Sequence, residues 1–269
     1  MPGHRARKRF GQHFLVDPGV VDAILSAIAP RETDTLLEIG PGTGALTDAL
    51  ARRAGRLHLV ELDRDLAAMQ HQRWSDDARV TVHEADALTF DYSALDSRLR
   101  VVGNLPYNVS TPLLFHLLEH RSALVDMHFM LQKEVVDRIV AAPGSKRYGR
   151  LTVSLGIHFG AEALFDVPPE AFEPPPAVNS AVLRLRPRGD DAPLPADPRT
   201  LQGLLVAGFG QRRKTLRNAL GQLADETTLR AAGIDPGARA ETVDVESWVR
   251  LADRVARERT EADGGDRNG

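Results

Sequence analysis

The feature of this 269-residue sequence that most limits its fold is a repeat in its N-terminal half. Three short apolar segments, each with the composition of a buried strand, end close to Glu38, Glu61 and Asp86, and helical patterns separate them. Strands that alternate with helices predict βαβ units and a parallel sheet. Because ligands bind beyond the carboxyl ends of parallel strands, we expect the three acids to share one binding site.

A glycine-rich turn follows the first of these segments. Gly40, Gly42 and Gly44 are spaced as G-x-G-x-G, whereas dinucleotide-binding turns space their glycines as G-x-G-x-x-G. Such a turn lets a ligand approach the backbone and the N–H groups of the next helix. Glu38 would repel a pyrophosphate but would tolerate the cationic groups of S-adenosylmethionine, and Glu61 suits the ribose hydroxyls of a nucleoside. A dinucleotide site is the alternative.

The next apolar segment runs into Asn104-Leu105-Pro106-Tyr107, after which a helix is predicted. A planar base with an exocyclic amine could stack on Tyr107 while two oxygens accept its hydrogens. These oxygens are the side-chain oxygen of Asn104 and a backbone carbonyl, that of Leu105. Two acceptors favour a pyramidal and therefore more nucleophilic nitrogen. The alternative is a proline-containing turn with a half-buried tyrosine.

The composition excludes several kinds of chemistry. There is no cysteine, so disulfides, thiolate metal sites and a cysteine nucleophile are excluded. No apolar run reaches membrane-spanning length and the N-terminus lacks the apolar segment of a signal peptide, so we expect a cytoplasmic protein without membrane contacts. His116 and His120 match the H-x-x-E-H pattern of one zinc-protease class. Their helix has a sheet-packing face and no further ligand follows, so no metal is expected.

Three basic segments, at 4–15, 143–150 and 211–218, predict contacts with RNA, although the net charge of the chain is −3. Phosphate contacts need only one basic face. The loop at 143–150 adds the ring of Tyr148 to its cations, and the segment at 211–218 carries its cations on a predicted helix whose leucines pack inward. Solvent-exposed charge is the alternative for each segment. The predicted RNA-binding residues are Arg7, Lys8, Arg147, Arg150, Arg212, Arg213, Lys214 and Arg217.

The distribution of proline and aspartate predicts the domain boundaries. Residues 187–198 form a linker-like stretch that is rich in both residue types. We therefore predict a catalytic domain at 1–187, a helical RNA-binding domain at 198–258 and a disordered tail at 259–269.

Several motifs resemble one enzyme family, in the order in which that family has them. The turn at 104–107 with the following Asn-Val-Ser-Thr-Pro, the segment from Phe172 to Ser180 and the segment from Gly11 to Leu15 are similar to the rRNA adenine N6-dimethyltransferases. The segments Gln-Arg-Arg-Lys-Thr and Tyr-Gly-Arg-Leu resemble the bacterial small-subunit branch of this family. The resemblance spans residues 7–248 and implies an α/β fold, with a Rossmann-like (class I) seven-strand S-adenosylmethionine-dependent methyltransferase domain and a small C-terminal α-helical domain.

The resemblance also implies a substrate and a partner. The family branch dimethylates two adjacent adenosines in the loop of the 3′-terminal helix of 16S rRNA, within the small ribosomal subunit or its assembly intermediate. We expect a monomer that uses S-adenosylmethionine. Two rivals remain, which are a DNA adenine methyltransferase with a similar turn and a ribosome-assembly factor whose methyl transfer is secondary.

Individual residues receive roles from the same resemblance. Tyr107 and Phe172 are expected to clamp a base that is flipped out of its loop. His13 stands where the family has an asparagine that contacts the cofactor. The residues expected to contact the cofactor are His13, Leu15, Glu38, Gly40, Gly42, Glu61, Asp86 and Asn104. Those expected at the target base are Asn104, Leu105, Tyr107 and Phe172.

Overall fold

The computed structural model describes residues 12–106, 109–189 and 192–265. The chain divides into two compact units. The first contains the residues up to Val136 together with Gly160–Pro187, and the second contains Asp137–Phe159 together with the residues from Arg188 onward. Each unit has its own cluster of buried apolar side chains.

The strands of the protein form a seven-stranded sheet and a separate two-stranded pair. In chain order they are β1 (Phe14–Leu15), β2 (Thr35–Ile39), β3 (Arg56–Glu61), β4 (Val80–Glu84), β5 (Leu99–Asn104), β6 (Leu124–Gln132), β7 (Phe159–Val167), β8 (Phe172–Glu173) and β9 (Ser180–Pro187). The large sheet has the order β4-β3-β2-β5-β6-β9-β7. Its β2 to β6 strands pair in parallel, and β9 runs antiparallel to β6.

Helices follow most of these strands, as the βαβ pattern predicted. They are α1 (Pro18–Ile28), α2 (Thr47–Ala51), α3 (Arg64–Arg73), α4 (Ser110–Glu119), α5 (Lys133–Ile139), α6 (Arg150–Gly156), α7 (Pro198–Gly210), α8 (Leu216–Leu220), α9 (Glu226–Ala231) and α10 (Val245–Gly265). No helix in the described ranges combines the length and the apolar character needed to cross a membrane. The predicted fold class, a Rossmann-like α/β domain with a helical C-terminal part, is confirmed.

The register of the central strands places their carboxyl ends level with one another. Ile39 pairs with Val60 of β3 and with Gly103 of β5. The residues at the carboxyl ends of these three strands therefore lie at the same edge of the sheet. A side chain at 103 would bring its Cβ within 2.7 Å of the Ile39 carbonyl, so only glycine permits this approach. The strand order reverses between β2 and β5, which is where open parallel sheets bind ligands.

The second unit corrects the predicted domain boundary. Tyr148, Val153 and Ile157 are buried in the same apolar cluster as Leu204 and Trp248. Residues 137–159 therefore belong to the helical unit, and the prediction that 1–187 forms one domain is wrong for this segment. The chain passes between the two units at 136–137 and again at 159–160, and no linker-like composition marks either point, so these boundaries could not be predicted.

The C-terminal helix corrects a second boundary. α10 continues to Gly265, so residues 259–265 are helical and the predicted disordered tail does not begin at 259. Buried positions such as Trp248, Leu251 and Val255 recur at helical spacing along its inner face. The rest of the predicted tail, 266–269, lies outside the described residues.

Candidate active site

The glycine-rich turn after β2 has a backbone that favours glycine at three positions. Gly40, Gly42 and Gly44 have φ values of +65°, +57° and +93°. A Cβ at position 42 would also lie 3.2 Å from ring carbons of Phe14. The turn can therefore keep this shape, and this closeness to the N-terminal segment, only with glycine at these positions.

A cavity of about 270 Å³ opens beside this turn, at the carboxyl ends of the parallel strands. It gathers every described residue that the sequence assigned to the cofactor or the target base. These are His13, Leu15, Glu38, Gly40, Gly42, Glu61, Asp86, Asn104, Leu105 and Phe172. Tyr107, the remaining one, lies outside the described residues. The sequence did not single out several further lining residues, among them Leu62, Leu66 and Leu88.

Glu61 is a buried carboxylate that holds the glycine-rich turn. Its Oε1 accepts the N–H of Asp63 at 2.9 Å, and its Oε2 accepts the N–H of Gly42 at 3.2 Å. Burial raises the pKa of Glu61, and these two backbone N–H groups oppose the rise. Each carboxylate oxygen keeps a second lone pair, so Glu61 can both fix the turn and accept hydroxyl groups from a ligand.

Glu38 is a second buried acid beside the same turn. The hydroxyl of Thr47 donates to its Oε2 at 2.7 Å. Burial raises the pKa of Glu38, the Thr47 hydrogen bond lowers it and the charge of Glu61 raises it, so that the pKa is about 7. Near neutral pH this group therefore exists in both protonation states, and a cationic ligand would favour the ionised one.

We expect the affinity of the cavity for a cationic ligand to rise with pH up to about 7 and then level off, because such a ligand binds better when Glu38 is ionised. Protons should be released on binding, which calorimetry in two buffers of different ionisation enthalpy would count. Since the folded-state pKa lies above the ordinary 4.5, the protonated acid stabilises the fold, and this contribution should fall as the pH rises from 4.5 to about 7. Glu38→Gln should lose the part of both dependences that Glu38 supplies, while the raised pKa of Glu61 keeps its own part. Equal proton release by the two proteins would contradict the assignment.

Asp86 lies on the loop after β4, with its side chain exposed at the cavity. Its Oδ1 accepts the N–H of Leu88 at 2.9 Å, which fixes the carboxylate on the loop. The hydroxyl of Tyr92 donates to the Ala87 carbonyl at 2.6 Å. Tyr92 is a supporting residue that the sequence analysis missed, and only its aromatic character could have suggested it.

The H-x-x-E-H pattern contributes to the support of this loop. Nε2 of His116 lies 2.9 Å from the Phe90 carbonyl, and the rings of His116 and His120 pack around Tyr92. Across the part of the chain that the structure describes, no group of three or more His, Asp or Glu side chains is arranged to hold a metal ion. The two histidines, at the end of α4, pack against Tyr92 and so support this loop.

Asn104 ends β5 with its side-chain amide in a defined orientation. Nδ2 donates to the backbone carbonyl of His13 at 2.9 Å, which leaves the Oδ1 acceptor for another partner. The next residue, Leu105, is buried, and its N–H donates to the Met130 carbonyl at 3.2 Å. The start of the turn is thus fixed from both neighbouring segments.

The N-terminal segment is paired with the proline-rich loop. β1 and β8 form an antiparallel pair in which Leu15 lies opposite Phe172. The His13 ring contacts the same loop, with Nδ1 at 2.7 Å from the Pro174 carbonyl. The pairing brings a residue predicted for the cofactor next to a residue predicted for the target base. Sequence reasoning did not foresee it, because the partners are far apart along the chain.

The predicted RNA-binding residues of the second unit lie differently from expectation. Arg212, Arg213 and Lys214 are exposed in the turn between α7 and α8, and only Arg217 lies on the helix, so the prediction of four cations on one helix is wrong. α8 begins at Leu216, and that leucine and Leu220 contribute to its buried face. Arg7 and Lys8 lie outside the described residues.

The loop at 143–150 also differs from expectation. The Tyr148 ring is buried, and its hydroxyl donates to the Val243 carbonyl at 2.7 Å, so it is not available to stack on a base. Arg147 pairs with Asp137 at 3.0 Å and remains largely exposed, and Arg150 is exposed at the start of α6. The cations of this loop are accessible, whereas its aromatic ring belongs to the core.

The fold and the cavity together define a class of protein. The features of a Rossmann-like methyltransferase are a glycine-rich turn, acids at the ends of neighbouring parallel strands, and the segment from Asn104 to Pro106 at the end of β5, where the strand order reverses. The chain matches the family described as ribosomal RNA adenine dimethylase over residues 3–257. It belongs to this family, so the predicted enzyme class, a methyltransferase that acts on ribosomal RNA, is confirmed.

Individual relatives agree with this membership. The chain is 53% identical to the ribosomal RNA small subunit methyltransferase A of Aromatoleum aromaticum, covering 95% of this chain and 96% of that protein. It is 50% identical to the protein of the same name from Pseudomonas aeruginosa, over 94% and 96%. Among solved structures, a dimethyladenosine transferase from Plasmodium falciparum superposes with a TM-score of 0.78 at 25% identity, over 89% of this chain and 96% of that one. The 23S rRNA methyltransferase ErmE gives 0.73 at 27% identity, over 90% and 99%.

Proposed function

We propose that the protein transfers methyl groups from S-adenosylmethionine to the N6 atoms of two adjacent adenosines in the loop of the 3′-terminal helix of 16S rRNA. The substrate is the small ribosomal subunit or its assembly intermediate, and the enzyme acts in the cytoplasm as a monomer. The relatives at 50–54% identity are named for the small subunit, which supports this choice over large-subunit rRNA. The observation that carries the chemistry is the orientation of Asn104.

The Asn104 amide is suited to an exocyclic amine. Its N–H donation to His13 leaves Oδ1 as an acceptor at the cavity, and the Leu105 carbonyl is the second acceptor in this proposal. An amino group whose two hydrogens are held by oxygens gains pyramidal character, so its lone pair becomes available to attack. Tyr107 and Phe172 would hold the flipped adenine between them.

The residues of the cavity fit S-adenosylmethionine in a definite order across the sheet. Asp86 follows β4, Glu61 ends β3 and the glycine-rich turn follows β2, and these three strands are neighbours in the sheet. Asn104 ends β5 on the other side of β2. In this order Asp86 would bind the adenine amine, Glu61 the ribose hydroxyls and the turn the amino-acid part. When bound, the group supplies an electrophilic methyl on a positively charged sulfur. The carboxylates of Glu38 and Glu61 would favour binding of this positively charged group. The positive charge on sulfur is lost in the transfer itself, so no metal is needed for it.

The test of this proposal is mass spectrometry of ribosomal RNA from cells with and without the protein. We expect dimethyladenosine at two neighbouring positions near the 3′ end of 16S rRNA to be lost when the protein is absent and restored by the purified enzyme acting on small subunits. Methylation of duplex DNA with no change in rRNA would support the DNA methyltransferase instead. Normal methylation of this site in cells without the protein, together with defects in subunit assembly, would favour the assembly role.

The basic turn between α7 and α8 should contribute to subunit binding. Within the described part of the chain, Arg213 and Lys214 have no ion-pair partner, so their charges are available for phosphates. Reversing both to glutamate should weaken binding to small subunits and reduce the slope of log affinity against log salt by about 2. Filter binding at several salt concentrations would measure this.

Two controls accompany this charge reversal. Arg239→Glu with Arg257→Glu reverses two exposed cations of the same unit outside the predicted RNA segments, and should leave the slope nearly unchanged. Glu61→Ala should still bind subunits, because Glu61 lies in the donor cavity. A wild-type slope in the Arg213 and Lys214 variant would remove this turn from the RNA contact.

A further inference from the structure

A buried glutamine lies behind the glycine-rich turn, outside the wall of the cavity. Gln70 is on α3 and its side chain is fully buried. Its Nε2 donates to the Gly42 carbonyl at 3.0 Å, and its Oε1 accepts the indole N–H of Trp74 at 3.1 Å. A buried primary amide is costly unless both ends are hydrogen-bonded, and both ends of Gln70 are.

Trp74 fixes the direction of this amide. An indole N–H is only a donor, so it must face the Gln70 oxygen, and the Gln70 amino group must then face Gly42. In the opposite orientation the Gln70 amino group would face the indole N–H of Trp74, and the Gln70 oxygen would face the Gly42 carbonyl, so neither hydrogen bond could form. The donor to the Gly42 carbonyl is therefore set by the α3 helix and does not depend on a ligand.

Gly42 of the glycine-rich turn is hydrogen-bonded through both its N–H and its carbonyl. The N–H of Gly42 donates to Glu61, while its carbonyl accepts from Gln70. Because a trans peptide places its N–H opposite its carbonyl, the N–H of Thr43 points to the side of the turn away from α3. Thr43 lines the cavity, and its N–H has no partner in the described part of the chain. This N–H is thus available to an acceptor of the ligand.

We propose that Gln70 is a positioning residue for the methyl donor: it draws the Gly42 carbonyl toward α3 and so presents the Thr43 N–H to the donor's carboxylate. The inference rests on the proposed use of S-adenosylmethionine and on the order of its parts across the sheet. Arg73 supports the same arrangement, since it contacts the Thr43 carbonyl at 3.5 Å and pairs with Asp48.

The experiment measures calorimetric affinities for two adenosine ligands that do not turn over. S-adenosylhomocysteine carries the amino-acid part, and 5′-methylthioadenosine lacks it. Gln70→Met keeps the size of the side chain but loses the donor. The variant should bind S-adenosylhomocysteine about tenfold more weakly than wild type, because one hydrogen bond to this ligand is misplaced. Its affinity for 5′-methylthioadenosine should stay within about twofold of wild type. A purely structural role would weaken both ligands alike.

Two further variants keep the test decisive. Gln72→Met makes the same change at an exposed position of the same helix and should bind both ligands as wild type does. Gln70→Glu loses the donor when ionised and regains an O–H donor when protonated, and a buried glutamate can titrate at pH values of about 8–9. Its affinity for S-adenosylhomocysteine should therefore improve relative to Gln70→Met as the pH is lowered.

The outcomes separate this inference from the proposed function. Wild-type affinity of both Gln70 variants for S-adenosylhomocysteine, or equal losses for the two ligands, would overturn the positioning role while leaving the methyl donor in place. A wild-type protein that binds neither ligand would instead overturn the proposed donor. Thermal unfolding of each variant gives the fraction that is folded, and each affinity is calculated for the folded fraction alone.

Discussion

Replacing Asn104 by alanine should lower kcat for the first methyl transfer by about 10²–10³-fold and change the affinity for small subunits far less. The loss is of the size that follows removal of one preorganised polar partner at a reacting centre. The acceptor matters most while the nitrogen becomes pyramidal, so its removal affects the transition state more than the bound ground state. Single-turnover assays that resolve monomethyl- from dimethyladenosine would measure the rate.

The structure supplies a matched variant for this test. Asn104→Asp keeps an acceptor of the same shape but loses the N–H that donates to the His13 carbonyl at 2.9 Å. We expect it to retain more activity than Asn104→Ala, and to lose part of it because the acceptor is no longer oriented. After the first transfer only one N–H remains on the nitrogen, so the second transfer should tolerate changes at Asn104 less well. Wild-type rates in Asn104→Ala would show that this turn only connects a strand to a helix.

The parts of the site that the sequence predicted are those set by local pattern. Glu38, Glu61 and Asp86 each lie in or directly after an apolar strand, so their meeting at one sheet edge follows from the parallel pairing alone. The glycine spacing likewise predicted a turn that approaches a ligand. Asn104 joined them because β5 is the neighbour of β2 across the switch point.

The parts that the sequence did not predict depend on distant contacts. The pairing of β1 with β8 joins residues more than 150 positions apart, and neither segment is long enough to have a strand periodicity. Gln70 is an ordinary polar residue on a helix until its carbonyl partner is known. Tyr148 was assigned to RNA from its basic neighbours, but its ring meets an apolar cluster formed by helices later in the chain.

Tyr107 provides the second large effect that we expect. Tyr107→Phe keeps an aromatic face and should remain active, whereas Tyr107→Ala loses about 1–3 kcal/mol of stacking and should be severely impaired. The residue itself lies outside the described part of the chain, and the expectation rests on the turn that Asn104 begins. The same single-turnover assay on small subunits measures both variants.

Tyr107 is a better test of the base clamp than its proposed partner. Phe172 is only 4% exposed and packs in the core cluster that contains Leu15, so Phe172→Ala would also destabilise the fold by about 3–5 kcal/mol. In the clamp, a stacking loss at Tyr107 lowers the population of flipped adenine, so Tyr107→Ala should slow both methyl transfers alike, unlike Asn104→Ala. Equal activity of the Phe and Ala variants would mean that the adenine is held without stacking on this ring, and the role of Phe172 would then have to be sought in the pairing of β8 with β1.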